Sequence, residues 1–407
     1  MSFFAWLDYS EHERRKMLDV IHLFSEQDTR DELGIGSVRD AFADLLFPGT
    51  TTIQTRASYF LYVPWLYQML ERQKVPSAQI AERARREEVA LIKALSQSDD
   101  RAGTIGIDAK DKLKRLPSSV YWQGLGVWGI RRFPGSQSQY HRALDRYYTT
   151  HADRRRTEDG EWADGNVSPW HAGLPDPPEH FPQQITHRLR QLDAEYLHER
   201  ILTAPQSRHS LLALLVDAGW EPTNVETPWQ HPQARELPTA HREQLAHARN
   251  FADTIYGAAL LYNLMLAEKR DRDDLRVRYR DQLQGWTAEL AARGKAVTQW
   301  DQRRFWEIVT QGNARVTRLT RDFITAWLEY ATQPAIAAGV ADNTQARLLI
   351  HERERQLKRT LARLDNQRQL EQWQGDAGTG RLLFRWPVVQ TILTDIQTGL
   401  TEGHGHA

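Results

Sequence analysis

The chain has 407 residues, enough for two or three domains that each have a core. Its 53 lysine and arginine residues are balanced by 53 aspartate and glutamate residues, so the formal net charge is zero. This balance excludes a protein held to nucleic acid by bulk charge, and any DNA contact has to come from a local basic patch. The absence of cysteine excludes disulfides, thiolate nucleophiles and iron–sulfur clusters.

Neither a secretory signal nor a membrane span is indicated. The N-terminal residues MSFFAWLDYSEHERRKM do not contain a basic region followed by an apolar region and a cleavage site. The longest apolar runs, Tyr59–Leu70 and Tyr256–Ala267, are shorter than the ~20 residues of a membrane-spanning helix. We therefore expect a cytoplasmic protein that does not bind a membrane.

Apolar residues recur at helical spacing along most of the chain, beginning with a capping box at Ser10 and Glu13. The predicted fold class is mainly α, with a helix-turn-helix/winged-helix-like N-terminal half followed by a C-terminal helical bundle. The predicted regions are an N-terminal helical region (1–75), a helix-turn-helix-like module (76–149), an irregular loop or linker (150–183) and a helical bundle (184–407).

The stretch LLFPGTTTIQTRASYFLYVPWLY combines a Pro-Gly turn, threonines, an arginine and an aromatic run. The turn is predicted to end one helix, and a threonine is predicted to cap the next. Amides and hydroxyls at such a helix start could bind an anion. The alternative, which we prefer, is a structural corner in which Arg56 pairs with Asp40 or Asp44. The candidate anion-binding residues are Thr50, Thr51, Thr52 and Arg56.

Residues 76–149 contain three helical segments with a tight turn before the last, the outline of a helix-turn-helix or winged helix. The segments are SAQIAERARREEVALIKALSQ, the basic DAKDKLKRL and SSVYWQGLGVWGIRR. Basic residues around the last two segments could neutralise several phosphates. The predicted DNA-binding residues are Lys110, Lys112, Lys114, Arg115, Arg131 and Arg132.

The last of these segments offers Gln123 and tryptophan edges rather than the arginine or asparagine side chains that usually read bases. The pattern therefore favours sequence-independent DNA contact, or a module reused for docking a protein. The alternative is that Lys110–Lys114 alternate with Asp108 and Asp111 on a solvated helix face.

The predicted loop at 150–183 is rich in proline and glycine, and loops of this length usually bind a partner or link domains. Its aromatic residues are the candidates for a partner surface. They are Trp162, Trp170 and Phe181. The alternative is that these residues fix the loop to its own domain.

Two features stand out in the C-terminal half. The segment NFADTIYGAALLYNLMLAEKR is apolar on nearly all sides, which predicts a helix buried in the middle of a bundle. The basic run from Arg353 to Arg368 is interrupted by acidic residues, and ion pairs such as Glu354–Lys358 account for most of it.

Motifs for known chemistry are missing from the sequence. No Gly-Lys-Ser/Thr phosphate loop, GxSxG elbow or HExxH pair is present, and the GDAGTG stretch lacks a preceding strand and a lysine. The histidines His171, His180, His187 and His198 would form a metal site only if folding brought them together. We therefore predict no catalytic residue, no metal and no cofactor.

Five blocks together resemble a bacterial family of unknown function. They are FAWLDYSEHERRKMLDVI, LFPGTTTIQTRASYFLYVPWLY, LKRLPSSVYWQGLGVWGIRR, LLYNLMLA and LLFRWPVVQTIL. The resemblance covers the chain from Phe4 to about Leu400. It implies a setting in anti-phage defence or DNA transactions, beside helicase-like or nuclease-like partners, and it implies no reaction and no catalytic residues.

The expected function is a non-catalytic, DNA-associated subunit of a bacterial anti-phage defence system. It would act through contacts with helicase-like or nuclease-like defence subunits and through sequence-independent contacts with double-stranded DNA. One alternative is a nucleic-acid-processing enzyme with an unrecognised metal site. The other is a structural or sensor protein that recognises a phage component.

Overall fold

The protein is mainly helical, as the sequence predicts. A computed structural model describes residues 31–107, 113, 115–154, 168–219, 223, 225–312 and 315–402, without the side chains of residues 151–154. Within these ranges there is no β-strand, and the only β-type pairing is one antiparallel bridge between Arg131 and Trp170. The predicted capping box at Ser10 and Glu13 lies outside the described residues.

Helices account for most of the described residues. Those of the first half are α1 (Gly36–Leu46), α2 (Tyr59–Arg72), α3 (Ile80–Gln97), α4 (Pro117–Val127), α5 (Gln137–Arg154), α6 (Gln191–Thr203) and α7 (Leu211–Asp217). Those of the second half are α8 (Thr239–Lys269), α9 (Asp273–Arg293), α10 (Lys295–Thr298), α11 (Gln302–Gln311), α12 (Arg318–Ala331), α13 (Pro334–Ala337), α14 (Thr344–Lys358), α15 (Gln367–Glu371) and α16 (Trp386–Glu402). Short 3₁₀ turns cover Pro228–Gln230, Pro232–Arg235, Val340–Asp342 and Arg359–Leu361. No helix among them is long and apolar enough to cross a membrane.

The chain divides into two compact units, and each unit is made from two separate stretches of sequence. The first unit contains Met1–Phe42 and Ala246–Leu382, and the second contains Ala43–Leu245 and Leu383–Ala407. The predicted boundaries after residues 75, 149 and 183 all fall within the second unit.

Aromatic side chains form the core of the second unit. Helix α2 packs against α3 and α4, and α16 packs against α6 and α7. The ring of Phe60 on α2 stacks on Trp128 with centroids 3.8 Å apart. The Trp128 indole also donates to the carbonyl of Pro48, at a distance of 3.0 Å. The predicted Pro-Gly turn is present here, because Gly49 adopts a positive φ of 83° directly after α1.

Helix α8 provides much of the core of the first unit, and its burial agrees with the prediction from its apolar sequence. Its residues Leu260, Leu261 and Leu264 are fully buried. Gly257 allows close packing, since a Cβ atom there would lie 2.3 Å from the Trp286 ring of α9. Trp286 also donates through Nε1 to the α8 carbonyl of Asp253 at 2.7 Å.

Helix α4, the predicted last helix of the helix-turn-helix-like module, is a core helix. Its buried residues are Pro117, Ser118, Val120, Tyr121, Trp122, Gly124 and Leu125. A Cβ atom on Gly124 would lie 2.3 Å from the carbonyl oxygen of Gly49, so α4 is in direct contact with the preceding corner. A helix buried to this extent has little free surface with which to enter a DNA groove.

Candidate nucleic-acid interface

A cavity of about 350 Å³ lies in the second unit, beside α5. It is referred to here as the α5 cavity, and its principal lining residues are Arg132, Phe133, Tyr140, Leu144, Arg146 and Tyr147. One wall is α5, which contributes side chains at the helical spacing of 140, 144 and 147. The opposite wall is a pair of extended chain segments.

These extended segments pair through the backbone. The amides of Arg132 and Phe133 both donate to the carbonyl of Pro169, at 2.8 and 3.2 Å. The amide of His171 donates to the carbonyl of Ile130 at 2.8 Å. These bonds hold residues 169–171 of the predicted irregular loop next to the segment that follows α4, and this pairing shapes the cavity wall.

The floor of the α5 cavity is apolar and aromatic. Tyr140 and Leu144 are each only 1% exposed, and the Phe133 ring meets the Tyr140 ring edge-on with centroids 5.6 Å apart. Burial, followed by the nearby Glu71 carboxylate, raises the pKa of Tyr147 to about 12. The phenol of Tyr147 therefore stays neutral at physiological pH.

The Glu71 carboxylate is hydrogen-bonded to two side chains beside the cavity. It accepts hydrogen bonds from the Tyr140 hydroxyl and, at 2.9 Å, from Trp170 Nε1. Burial raises the pKa of Glu71 from its ordinary value, while these two donors oppose the rise. The two hydrogen bonds fix the positions of Tyr140 and Trp170.

Positive charge lies at the rim of the α5 cavity. Arg132 and Arg146 both line the cavity, and both are exposed. Neither guanidinium forms an ion pair with any residue in the described ranges. An apolar floor beneath two exposed guanidinium groups can accept a ligand that combines a planar apolar part with an anionic part.

The six predicted DNA-binding residues do not form one described surface. Lys110, Lys112 and Lys114 lie outside the described residues, and Arg115 is half-buried just before α4. Arg132 lies at the rim of the α5 cavity. Arg146 was not predicted, although its spacing of four residues from Arg142 on a helical segment is a signal that could have identified it.

Arg131 is buried, whereas its neighbour Arg132 is exposed. Arg131 is only 8% exposed and donates to the carbonyl of Trp122 at 3.1 Å, to that of Gly135 at 3.0 Å and to that of Phe133. Its guanidinium carbon also lies 4.9 Å from the centroid of the Trp122 ring. The side chain organises the turn after α4, so the prediction that it contacts DNA phosphates needs correction.

The threonine stretch does not begin a helix. The predicted threonine N-cap, on which the candidate anion site depended, is therefore wrong. Helix α2 begins only at Tyr59, after its N-cap Ser58. Thr50 is buried, and its hydroxyl donates a hydrogen bond to the Phe47 carbonyl at 2.7 Å. Thr52 is exposed. The amide of Thr51 donates to the Gln54 side chain at 3.1 Å.

Arg56 is held by two carboxylates. Its guanidinium donates to both oxygens of Asp395, each at 3.0 Å, and to both oxygens of Asp100, each at 2.8 Å. These partners replace the predicted Asp40 and Asp44. The preferred interpretation of this stretch as a corner is consistent with the ion pairs, because they occupy the guanidinium that an anion would need.

The predicted partner surface is only partly described. Trp162 lies outside the described residues, and Trp170 is fully buried, so Trp170 cannot form part of an exposed surface. Phe181 is half-buried and packs against α2, with centroids 5.4 Å from the Trp65 ring and 6.0 Å from the Tyr62 ring. These contacts attach the loop to its own unit.

The candidate histidines do not assemble a metal site within the described ranges. No group of three or more histidine, aspartate or glutamate side chains there could hold a metal ion. His187 is buried between two hydroxyls, with Nδ1 2.8 Å from Ser58 Oγ and Nε2 3.1 Å from Thr104 Oγ1. Burial, reinforced by the charge of Arg56, lowers the pKa of His187 to about 4.

His187 makes the stability of the second unit depend on pH. Its pKa in the folded protein, about 4, is below the value of about 6.5 in an unfolded chain. The stabilisation is therefore complete above pH ~6.5 and is lost as the pH falls toward 4. We expect the wild type to lose about 2 kcal/mol more stability between pH 7 and pH 5 than His187→Gln does. Urea unfolding of both proteins at the two pH values measures the difference, and equal losses would contradict it.

Fold and site together define a mainly helical protein with an arginine-rimmed aromatic cavity in the second of its two units. The chain belongs to the family of unknown function DUF6361, whose family model matches residues 1–399. This confirms the resemblance to a family of unknown function. No curated protein and no solved structure matches the chain significantly.

Proposed function

We propose that the protein is a non-catalytic, DNA-associated subunit of a bacterial anti-phage defence system. The observation that carries the DNA part is the pair of exposed arginines, Arg132 and Arg146, at the rim of the α5 cavity. The defence part rests on the family resemblance of the sequence. The same resemblance supports helicase-like or nuclease-like partner subunits. A cytoplasmic location is also part of the proposal.

The chemistry of the rim supports DNA contact that is independent of base sequence. Arginine forks pair with phosphate oxygens, which are the same at every position of a DNA strand. Arg142 is a third exposed arginine, one helical turn before Arg146 on α5. Phosphate contact of this kind requires no recognition helix, so it is compatible with the burial of α4. The helix-turn-helix-like N-terminal half and the C-terminal bundle remain part of the proposal.

Binding of a labelled 40-base-pair duplex across a salt series tests this function. We expect the double variant Arg132→Ala/Arg146→Ala to bind more weakly and to reduce the slope of log affinity against log salt by about 2, one for each lost phosphate contact. Arg318→Ala is the control for loss of a positive charge, because its side chain is 94% exposed on α12 of the first unit.

The outcomes separate the proposal from its alternatives. Equal salt slopes for the wild type and the double variant would show that Arg132 and Arg146 do not contact DNA phosphates. No binding by the wild type at low salt would overturn DNA association for this chain. Cleavage of the duplex on addition of Mg²⁺ would contradict the non-catalytic assignment.

A further inference from the structure

We propose that the α5 cavity binds a single unstacked nucleotide of DNA, with the base over the aromatic floor and the phosphate at Arg132 and Arg146. This inference rests on the proposed DNA association and specifies the ligand of the same site. It predicts that the protein prefers DNA with an unpaired strand to fully paired DNA.

The size of the cavity supports one nucleotide. Its volume of about 350 Å³ lies at the small end of the roughly 300–1,000 Å³ of ligand pockets. One base with its sugar is a ligand of that scale, whereas two paired bases are too large. A base inside a duplex is stacked and paired, so it reaches such a cavity only after leaving the helix. A single-stranded extension provides an unpaired base without that cost.

The floor has the composition of a stacking site. Phe133 and Tyr147 are half-buried, so each keeps part of its ring accessible from the cavity. Tyr140 and Leu144 close the floor beneath them. Aromatic side chains stack on any base, because every base has a π-face.

The rim supplies the charge that a nucleotide needs. Arg132 comes from the segment after α4 and Arg146 from α5, so the two guanidinium groups approach from different walls. Thr150 is also exposed there, although its hydroxyl donates to the carbonyl of Arg146 at 2.8 Å. Asn, Gln, Asp and Glu side chains are missing from the lining in the described part of the chain, so the cavity lacks the groups that usually distinguish one base from another. The site should therefore accept any base.

A comparison of two labelled DNA probes tests the inference. One is a blunt 30-base-pair duplex, and the other carries a ten-nucleotide single-stranded extension with 2-aminopurine, a fluorescent base. We expect the wild type to bind the extended probe about tenfold more tightly than the blunt one, and stacking in the cavity to lower the 2-aminopurine fluorescence.

The variant Ala143→Leu separates the cavity from the charged rim. Ala143 is half-buried and lines the cavity, so a leucine fills space there while both arginines remain. We expect this variant to lose the tenfold preference and the fluorescence change but to keep the affinity for the blunt probe. Ala288→Leu, an exposed position on α9, is the matched control and should behave as the wild type.

Each outcome decides one question. Equal wild-type affinity for the two probes, or a folded Ala143→Leu that keeps the preference, would overturn the nucleotide site while leaving DNA association intact. Absence of binding to both probes would overturn DNA association itself. If Ala143→Leu does not fold, Tyr147→Ala replaces it, and an unchanged preference in that variant counts against the site.

Discussion

Replacing Glu354 with alanine is expected to lower the free energy of unfolding of the first unit by about 3–5 kcal/mol. The carboxylate is completely buried and accepts hydrogen bonds from the amides of Arg363 and Leu364, both at 2.9 Å. It also accepts from the Tyr262 hydroxyl and, at 3.2 Å, from Lys358 Nζ. Removing the carboxylate takes away one acceptor from four donors. A buried donor that loses its acceptor is destabilising, because its loss of hydration on folding is no longer compensated.

Hydrogen exchange measured by mass spectrometry localises this loss, because it reports opening segment by segment. Peptides of the first unit should exchange faster in Glu354→Ala. The matched control is Glu352→Ala on the same helix, where the side chain is exposed and the change should stay within about 0.5 kcal/mol. Similar exchange in the two variants would show that the buried network contributes little to stability.

Replacing Arg56 with alanine is expected to lower the free energy of unfolding of the second unit by about 3–5 kcal/mol. The Asp395 side chain is only 8% exposed, and its remaining described donor would be the amide of Ala57 at 2.8 Å. Burial raises the pKa of Asp395, and the Arg56 guanidinium opposes this rise. Without Arg56 the carboxylate is a buried charge with no partner of opposite sign among the hydrogen bonds it makes here.

Urea unfolding at pH 7 measures the effect of Arg56→Ala. Arg86→Ala is the control, because Arg86 is 62% exposed and lies 3.8 Å from Glu82 in a surface pair of the kind that contributes little. The second substitution Asp395→Asn should restore part of the stability lost in Arg56→Ala, since it removes the unpaired charge. No recovery in the double variant would assign the loss to packing by the arginine stem.

Local sequence patterns predicted the helical class, the turn at Gly49 and one contact between near neighbours. The predicted Glu354–Lys358 pair is confirmed, with the two groups 3.2 Å apart. The contact of Lys358 with Glu32 was not predictable, because Glu32 lies hundreds of residues earlier in the chain. The same applies to Arg56, for which the sequence suggested nearby aspartates while the structure provides Asp100 and Asp395.

The candidate site was only partly predictable for a similar reason. The clustering of basic residues identified Arg132, but Arg131 beside it donates to a carbonyl of α4 and to carbonyls of its own turn. Neighbouring residues in an extended segment point to opposite sides, and which side faces solvent depends on the tertiary fold. The α5 cavity also depends on the pairing of Pro169 with Arg132, and no local pattern encodes that pairing.

The two-segment construction of the second unit has a consequence for its synthesis on the ribosome. Residues 43–245 of this unit are made first, whereas α16, which packs on α6 and α7, is made only after Leu382. Asp395, the buried partner of Arg56, lies on α16. It is therefore synthesised only after the stretch Ala246–Leu382 of the first unit has been translated. A nascent chain stalled before α16 would therefore expose the apolar surface that this helix covers, and would be a natural client for chaperones.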